Sequence, residues 1–431
     1  MIVLWLFRGK AHLKSSLATA APLRAEVLPY NPAVLSYIQG RRAEGIRVIL
    51  ATGADQRIAA AVASHLDLFD EVHASDGITN LTGRRKADHL SARYADFEYI
   101  GNSRADIPVW RRSRSAIVVS SSMRLLKKAG KTGSPARLIP QVNQSQVSAW
   151  LRVLRVYQWV KNLLIFLPVM TAHRLTDIEA LRSAGIAFLA WCCAASGTYL
   201  LNDLFDLSAD RAHPRKRLRP FAAGELNLAT GTVVALILYA AGVALASLLS
   251  AESLLLLLAY AALTISYSVW LKQFPVIDVL LLVCFYLLRI LAGGLATGIS
   301  ISIWLLAFSL FFFLSLALVK RLTELRVPDW ETSTRGYQIS DVQLLGSLAG
   351  SSAYLSVVLL ALYINSPEVH LLYQKPQLLW PICLVIVYWL TRIILLANRG
   401  QLDDDPIVFA TRDKASWFTV FAIGLFLYLA R

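Results

Sequence analysis

An all-α polytopic membrane bundle of about nine transmembrane helices, preceded by a small soluble α/β domain, is the fold class that three observations predict. The first is composition. Of the 431 residues, 56% are hydrophobic and only 16% charged, where an ordinary soluble domain carries about 25% charged residues. Mean hydropathy is +0.53. The second is distribution. Up to about residue 148 charged and apolar segments alternate, and beyond it long apolar runs are separated by short polar breaks. The third is that strand-like and helix-like segments alternate within the first part, the pattern of a parallel sheet.

Disorder, a collagen repeat and a disulfide scaffold are excluded by the same composition. Cys192, Cys193, Cys284 and Cys383 all lie inside apolar runs, so packing is their expected role; spacing and partner histidines do not suit a metal site. The net charge of +15 is read as the basic surplus of cytoplasmic membrane loops, with no nucleic acid as partner. The start MIVLWLFRGK has an apolar run of about six residues, too short for a signal-peptide core, so no cleavable signal is expected.

In chain order, residues 1–120 read as the α/β domain. RVILATG (Arg47 to Gly53) is a short strand ending at glycine, and QRIAAAVASHLDLF (Gln56 to Phe69) has helical spacing. FEYIGNS (Phe97 to Ser103) and SAIVVS (Ser115 to Ser120) are further short strands. Residues 121–147, basic and rich in Ser, Gly and Pro, read as a linker lying near anionic headgroups. Residues 148–431 hold nine candidate spans: 155–172, 180–201, 229–249, 253–271, 276–297, 301–320, 344–364, 378–396 and 415–430. The first and last are short and the first is polar, so eight is the alternative count.

Loop charge sets the expected orientation. The loops after spans two, four, six and eight hold about thirteen Lys and Arg, and the opposite loops about three, which places the former and the N-terminal domain in the cytoplasm of an inner or plasma membrane.

The chemistry concentrates at the end of span two: Asn202-Asp203-Leu204-Phe205-Asp206-Leu207-Ser208-Ala209-Asp210. On a continuous helix all four polar positions share one face. Stacked carboxylates beside an apolar span repel strongly unless a cation neutralises them. Oxygen ligands suit Mg²⁺, which also shares phosphate oxygens with a substrate. Arg211, His213, Arg215, Lys216, Arg217 and Arg219 follow, with charges that suit a diphosphate. A plain positive-inside loop would explain the basic residues but not the aspartates.

Tyr267, Ser268, Lys272 and Asp278 form a second cluster around the start of span five. Arg289 lies about three turns, or about 16 Å, deeper on nearly the same face. A cation at that depth faces the bundle interior, either as a functional group or as a structural pair with a carbonyl or carboxylate. Lys320, Arg321, Glu324 and Arg335 crowd the loop after span six, and Asp403, Asp404, Asp405, Arg412 and Asp413 the loop after span eight. Both loops are equally readable as solvated.

NDLFDLSADRAHPRKRLRPFAAG resembles the signature of the UbiA superfamily of intramembrane prenyltransferases, and the resemblance covers about 150–431. It implies nine helices around a cavity open to the lipid, with the cytoplasmic side capping a diphosphate. Asn202, Asp203, Asp206 and Asp210 would hold Mg²⁺, with Asp203, Asp206 and Asp210 the catalytic carboxylates. Lys216, Arg217 and Arg219 would bind phosphate.

Three further stretches, LRVYQWVKNLLIFLPV, YSVWLKQFPVIDVLLLVCFYLLRILAGGLA and RGQLDDDPIVFATRD, are similar to the decaprenyl-phosphate phosphoribosyltransferase branch. That branch takes a soluble diphosphate donor, phosphoribosyl diphosphate, and a polyprenyl phosphate acceptor. Lys161, Asn162, Tyr267, Lys272, Asp278 and Arg289 complete the substrate-binding set, with Lys161, Lys272 and Arg289 able to hold the lipid phosphate. Aromatic-acceptor members carry a second aspartate pair after span four. Here Leu282 stands four residues after Asp278, so the second pair is absent. The alternative is transfer of a prenyl chain to an aromatic acceptor, with Tyr199, Tyr260 or Tyr267 shielding an allylic cation. A transporter is a third reading, but no inverted repeat is visible.

Residues 1–120 resemble a haloacid-dehalogenase-type domain through Thr52, Lys86 and GNSRAD with Asp106. The nucleophile motif DxDGT is nowhere in residues 1–40, and Gly101-Asn102 replaces the usual Gly-Asp. The domain is therefore expected to be truncated and inactive, since no phosphoenzyme forms without the nucleophile. Either the domain is dead or the chain starts too late.

Overall fold

The computed structural model describes residues 10–20, 24–120, 123–139, 145–326, 336–402 and 405–431. Contacts divide the chain into two compact units, one of Met1–Ala149 with Asp206–Glu225, the other of Trp150–Phe205 with Leu226–Arg431.

In the first unit, α1 (Lys10–Ala20) and α2 (Pro32–Ala43) precede β1 (Ile49–Asp55), α3 (Gln56–Leu66), β2 (Glu71–Ser75), α4 (Arg84–Arg93), β3 (Glu98–Gly101), α5 (Ile107–Trp110), β4 (Ser115–Val119), α6 (Met123–Gly130) and β5 (Ala136–Ile139). All strand pairings are parallel, as expected, but they form two sheets, β1-β2 and β3-β4-β5. Caps set the helix starts: Asn31 accepts from Ala33 and Val34 amides ahead of α2, and Asp55 from the Arg57 amide ahead of α3. β4 is buried along nearly its whole length, as its unbroken apolar run requires of a central strand. Val109, Trp110, Ala116, Val118 and Ala129 pack around it.

Two expectations are corrected here. The stretch read as a linker carries α6 and β5, and β5 pairs with β4 from Ala116↔Ala136 to Val119↔Ile139. Its basic residues conceal an apolar minority: Leu125, Ala129 and Ile139 are buried, while Arg137 lies over the Tyr37 ring at 5.6 Å. The loop 206–225, assigned from sequence to the bundle, groups with the first unit. Gly224, at φ +72, passes close beside Pro29 there.

The second unit is the bundle. Its first span is bent by 43° between α7 (Gln146–Leu154) and Val156–Thr171, which is a 3-10 stretch to Phe166 followed by α8 (Leu167–Thr171). Seven straight spans follow, built on α9 (Ile178–Phe205), α11 (Leu228–Ser247), α12 (Ala251–Val269), α13 (Ile277–Thr297), α14 (Ile303–Leu325), α15 (Val342–Ile364) and α17 (Trp380–Asn398); α10 (Leu207–Ala212) lies between the first two, and α16 (Pro367–Leu372) between the last two. The chain ends in α18 (Pro406–Arg412) and α19 (Lys414–Ala430), bent by 87°. Counting each bent pair as one span gives nine among the described residues.

Leu236, Leu255, Leu384 and Phe418 are exposed, the outward apolar surface that lipid requires. Inside, Val283, Ile290, Leu322, Ala349, Leu390 and Ile393 pack between α13, α14, α15 and α17. Gly293 brings α13 against the first span: a Cβ there would collide with the carbonyl of Ile165.

Candidate active site

The acidic stretch is not one helix. α9 stops at Phe205, Asp206 takes φ −85 and ψ 6, and α10 starts at Leu207. The amide of Asp210 still donates to the Asp206 carbonyl at 2.8 Å, so Asp206 links two helical turns. The expectation of a single continuous helical face is corrected by this break.

The four polar residues are divided between the units. Asn202 and Asp203 close α9 in the bundle. Asp203 is buried, and Arg155 Nη2 donates to it at 2.7 Å. Arg155 stands at the bend of the first span in left-handed backbone (φ 51), with its guanidinium 4.8 Å above the Tyr199 ring.

Asp206 and Asp210 belong to the first unit. Asp210 is buried and accepts from Arg219 Nη1 at 2.8 Å. The His213 ring nitrogen accepts from the amides of Arg215 and Lys216, which fixes the turn that carries Lys216 and Arg217. Both of these are exposed.

No three His, Cys, Asp or Glu side chains form a metal cage among the described residues. Oxygen donors of this kind, carboxylates and an amide oxygen, nevertheless suit Mg²⁺ delivered with a diphosphate. Such an ion takes only one or two protein carboxylates and fills its shell from phosphate and water. The residues fit a substrate-borne ion better than a resident one.

The bundle interior holds three polar groups. In the first, Lys161 Nζ donates to Asp405 Oδ2 at 2.5 Å and Lys320 Nζ to the same oxygen at 3.2 Å. Asp405 is 4% exposed. Two ammonium groups thus converge on one buried carboxylate oxygen.

In the second, Arg289 donates through Nε to Asn162 Oδ1 at 2.7 Å, through Nη2 to the Tyr260 hydroxyl at 3.1 Å, and through Nη1 to the Phe285 carbonyl. Asn162 donates in turn to Cys192 Sγ at 3.2 Å. Of the two roles left open for Arg289, the geometry is that of a buried structural cation with a carbonyl partner. Trp191 and Phe285 pack against Tyr260 and complete an aromatic wall.

In the third, Asp278 is 0% exposed. Arg321 Nε lies 2.6 Å from its Oδ2, out of line for a hydrogen bond, and Tyr337 donates to its Oδ1 at 2.7 Å. Arg321 also contacts Glu324 and donates to the Tyr267 hydroxyl at 3.3 Å. Asp278 was expected to touch substrate; it is instead fully buried, with Tyr337 donating to Oδ1 and the Arg321 guanidinium beside Oδ2. Lys272, in the short turn Leu271–Gln273, is half-buried.

Sequence reasoning missed Arg155 and Tyr337 and left Lys320, Arg321 and Asp405 as equally readable loop residues. Arg321 and Asp405 are buried, so they are not solvated. Arg335, Asp403 and Asp404 lie outside the described residues. All four cysteines are free.

The α/β unit has its own polar cluster. Lys86, buried beside α4's start, donates to the Tyr99 hydroxyl at 2.8 Å and lies 3.9 Å from Asp106. Burial pushes its ammonium down, Asp106 opposes this, and nearby Lys14 adds to it. Asp106 accepts from the Asn102 and Ser103 amides and the Ser103 hydroxyl. Thr52 Oγ1 accepts from the Ala54 amide, and Lys14 donates to the Gly53 carbonyl and to Asn80.

Two family models match the chain. The model of the UbiA prenyltransferase family matches residues 163–420, and that of haloacid dehalogenase-like hydrolases matches residues 6–111. An uncharacterized protein, y4nM, of Sinorhizobium fredii is 39% identical over 419 residues, covering 96% of this chain and 81% of that protein. The decaprenyl-phosphate phosphoribosyltransferase of Mycobacterium tuberculosis is 34% identical over 196 residues, 44% of this chain and 65% of that protein. The solved structure of a UbiA homolog from Archaeoglobus fulgidus bound to GPP and Mg²⁺ superposes with a TM-score of 0.51 at 16% identity. It covers 65% of this chain and 99% of its own, a likeness of fold.

Proposed function

The chain belongs to the UbiA prenyltransferase family, and from that premise we propose that it moves a phosphoribosyl group from phosphoribosyl diphosphate to a polyprenyl phosphate. It is an integral, multi-pass membrane transferase. One observation carries the choice of reaction. Asp278, the one aspartate at the start of α13, where aromatic-acceptor members place a second aspartate pair, is buried, charge-paired with Arg321 and hydrogen-bonded by Tyr337. One diphosphate–metal site therefore remains, which is what a soluble diphosphate donor and an already phosphorylated lipid require. The similarity to decaprenyl-phosphate phosphoribosyltransferases points the same way.

In the proposed reaction a phosphate oxygen of the lipid forms a bond to the anomeric carbon. The bond from that carbon to the diphosphate oxygen breaks, and diphosphate leaves with the electron pair. The ionised phosphate already carries the attacking lone pair, so no base has to remove a proton. Asn202, Asp203, Asp206 and Asp210 would hold Mg²⁺, which supplies charge neutralisation to the leaving diphosphate when bound. Lys216, Arg217 and Arg219 bind the donor's phosphates, with Arg219 positioned by Asp210. Lys161 and Lys272 serve the lipid phosphate. Tyr267 orients Arg321, and Asn162 orients Arg289; these two cations set the field of the interior rather than grip substrate. The active-site loops and the N-terminal domain, residues 1–120, are cytoplasmic in this reading, by the excess of Lys and Arg on that side.

The aromatic wall of Trp191, Tyr260 and Phe285 favours the rival reading, prenyl transfer to an aromatic acceptor. The test is incubation in detergent with Mg²⁺, polyprenyl phosphate and an aromatic acceptor, together with phosphoribosyl diphosphate labelled in the ribose and prenyl diphosphate labelled in the chain. Ribose label in a lipid product is expected. Prenyl label in an aromatic product, with no ribose transfer, overturns the proposal.

A further inference from the structure

Lys161 and Lys320 reach one carboxylate oxygen from two different elements, the 3-10 stretch of the first span and α14. Asp405 does not depend on them for its position. Its other oxygen, Oδ1, accepts from the Ile407 amide at 3.1 Å as the N-cap of α18. The helix cap presents a fixed anion, and the two lysines converge on it. Each ammonium has three donors and directs one of them at Asp405.

The local charge count is uneven. Among the described residues, the Lys161 and Lys320 ammonium groups share the single carboxylate of Asp405. Two cations thus stand against one carboxylate there. An uncompensated cation inside an apolar bundle is costly, and a further anion relieves that cost. The lysines also have an amphipathic setting, since Lys161 Nζ lies 6.0 Å over the Tyr286 ring.

We propose that Lys161 and Lys320 form the seat of a lipid phosphate monoester, and that Asp405 is a built-in counter-anion that holds the seat together when the lipid is absent. The proposal rests on the reading above for the identity of the lipid. The seat itself follows from the geometry. Asp405 and an incoming phosphate then compete for the same ammonium donors. This gives a sign that a purely structural salt bridge would not: removing the charge of Asp405 tightens phosphate binding.

The experiment is equilibrium binding to the full chain in detergent, with no donor present. The probes are a polyprenyl phosphate, the matching polyprenyl alcohol and inorganic phosphate. The parent is expected to bind the lipid phosphate far better than either control. Lys161→Ala and Lys320→Ala are expected to weaken it roughly ten- to a hundredfold, the loss of a charge-assisted hydrogen bond. Asp405→Asn keeps the helix cap, because asparagine caps as well as aspartate, and is expected to tighten it several-fold.

The double variant Lys320→Ala/Asp405→Asn removes one charge of each sign. It serves where the single lysine variant fails to fold, and it should bind more weakly than Asp405→Asn alone. Weaker binding by Asp405→Asn than by the parent overturns the counter-anion. Parent-like binding by Lys320→Ala, or equal binding of the alcohol, overturns the seat. Inorganic phosphate binding as tightly as the lipid makes it a soluble-anion site and also overturns it. No turnover is read, so a parent that shows this pattern yet transfers no ribose leaves the seat standing and removes only the phosphoribosyl reading.

Discussion

Asp206 ends one helix and opens the next, and its side chain does not cap α10. Asp203 and Asp210 each have an arginine at hydrogen-bond distance, Arg155 and Arg219. Asp206 stands at the junction of α9 and α10, in the sequence between these two carboxylates. Asp206→Ala is expected to lower the transfer rate at least ~10²-fold, because neutralising a diphosphate leaving group is worth several kcal/mol. EDTA should abolish turnover and Mg²⁺ restore it. Initial rates in detergent check both, and full activity in Asp206→Ala removes the metal site. The aspartates were legible because they sit within nine residues of one another. Arg155 was not, because it meets Asp203 from 48 positions upstream. Asp405 was further out of reach, since 244 positions separate it from Lys161. Short-range spacing identifies the site's anions and a near cation such as Arg219; Arg155, which comes from the first span, emerges only on packing.

Elements behaved in the same way. The apolar runs of α9, of α11 to α15 and of α17 are long enough to specify spans without help. Their ends were placed within a few residues, as end effects allow. The first and last spans were flagged as short; the structure shows why, since each is bent, at Arg155 and at Asp413. α6 and β5 escaped because basic and small residues dilute the alternation that marks a strand, and only pairing with β4 makes the segment regular. Helix approach was also illegible: nothing in the sequence separates Gly293, pressed on the Ile165 carbonyl, from Gly185, which has nothing within 4 Å. The contrast is testable. Gly293→Ala forces backbone apart and is expected to destabilise by about 1–3 kcal/mol. Gly185→Ala is expected to be neutral or stabilising by up to about 1 kcal/mol, the helix-propensity gain. Thermal unfolding in detergent orders the three proteins, and equal loss in both variants would refute the close-packing account.

For the molecule as a whole, the question is what an α/β unit that resembles a hydrolase contributes to a membrane transferase. Several of that fold's polar positions are present: Thr52 on β1, Lys86 on α4, and Asp106 gripped by two amides and a hydroxyl. Residues 1–40 contain no aspartate, and Lys14 of α1 places its ammonium on the Gly53 carbonyl, at the end of the strand where substrate chemistry would be expected. An aspartyl-phosphate intermediate needs a carboxylate nucleophile, and an ammonium cannot replace it. The loop 206–225, with Asp210, Lys216, Arg217 and Arg219, groups with this unit, which fits a supporting rather than a hydrolytic task. The full chain is therefore expected to release no phosphate from phosphomonoesters above background, with or without Mg²⁺. Asp106→Ala should leave that background unchanged while lowering stability by about 1–2 kcal/mol in all, since it removes the carboxylate that accepts from two partly exposed backbone amides and the Ser103 hydroxyl. Phosphate release that requires Mg²⁺ and disappears in Asp106→Ala would show that another residue supplies the nucleophile, and the unit would have to be counted as a second enzyme.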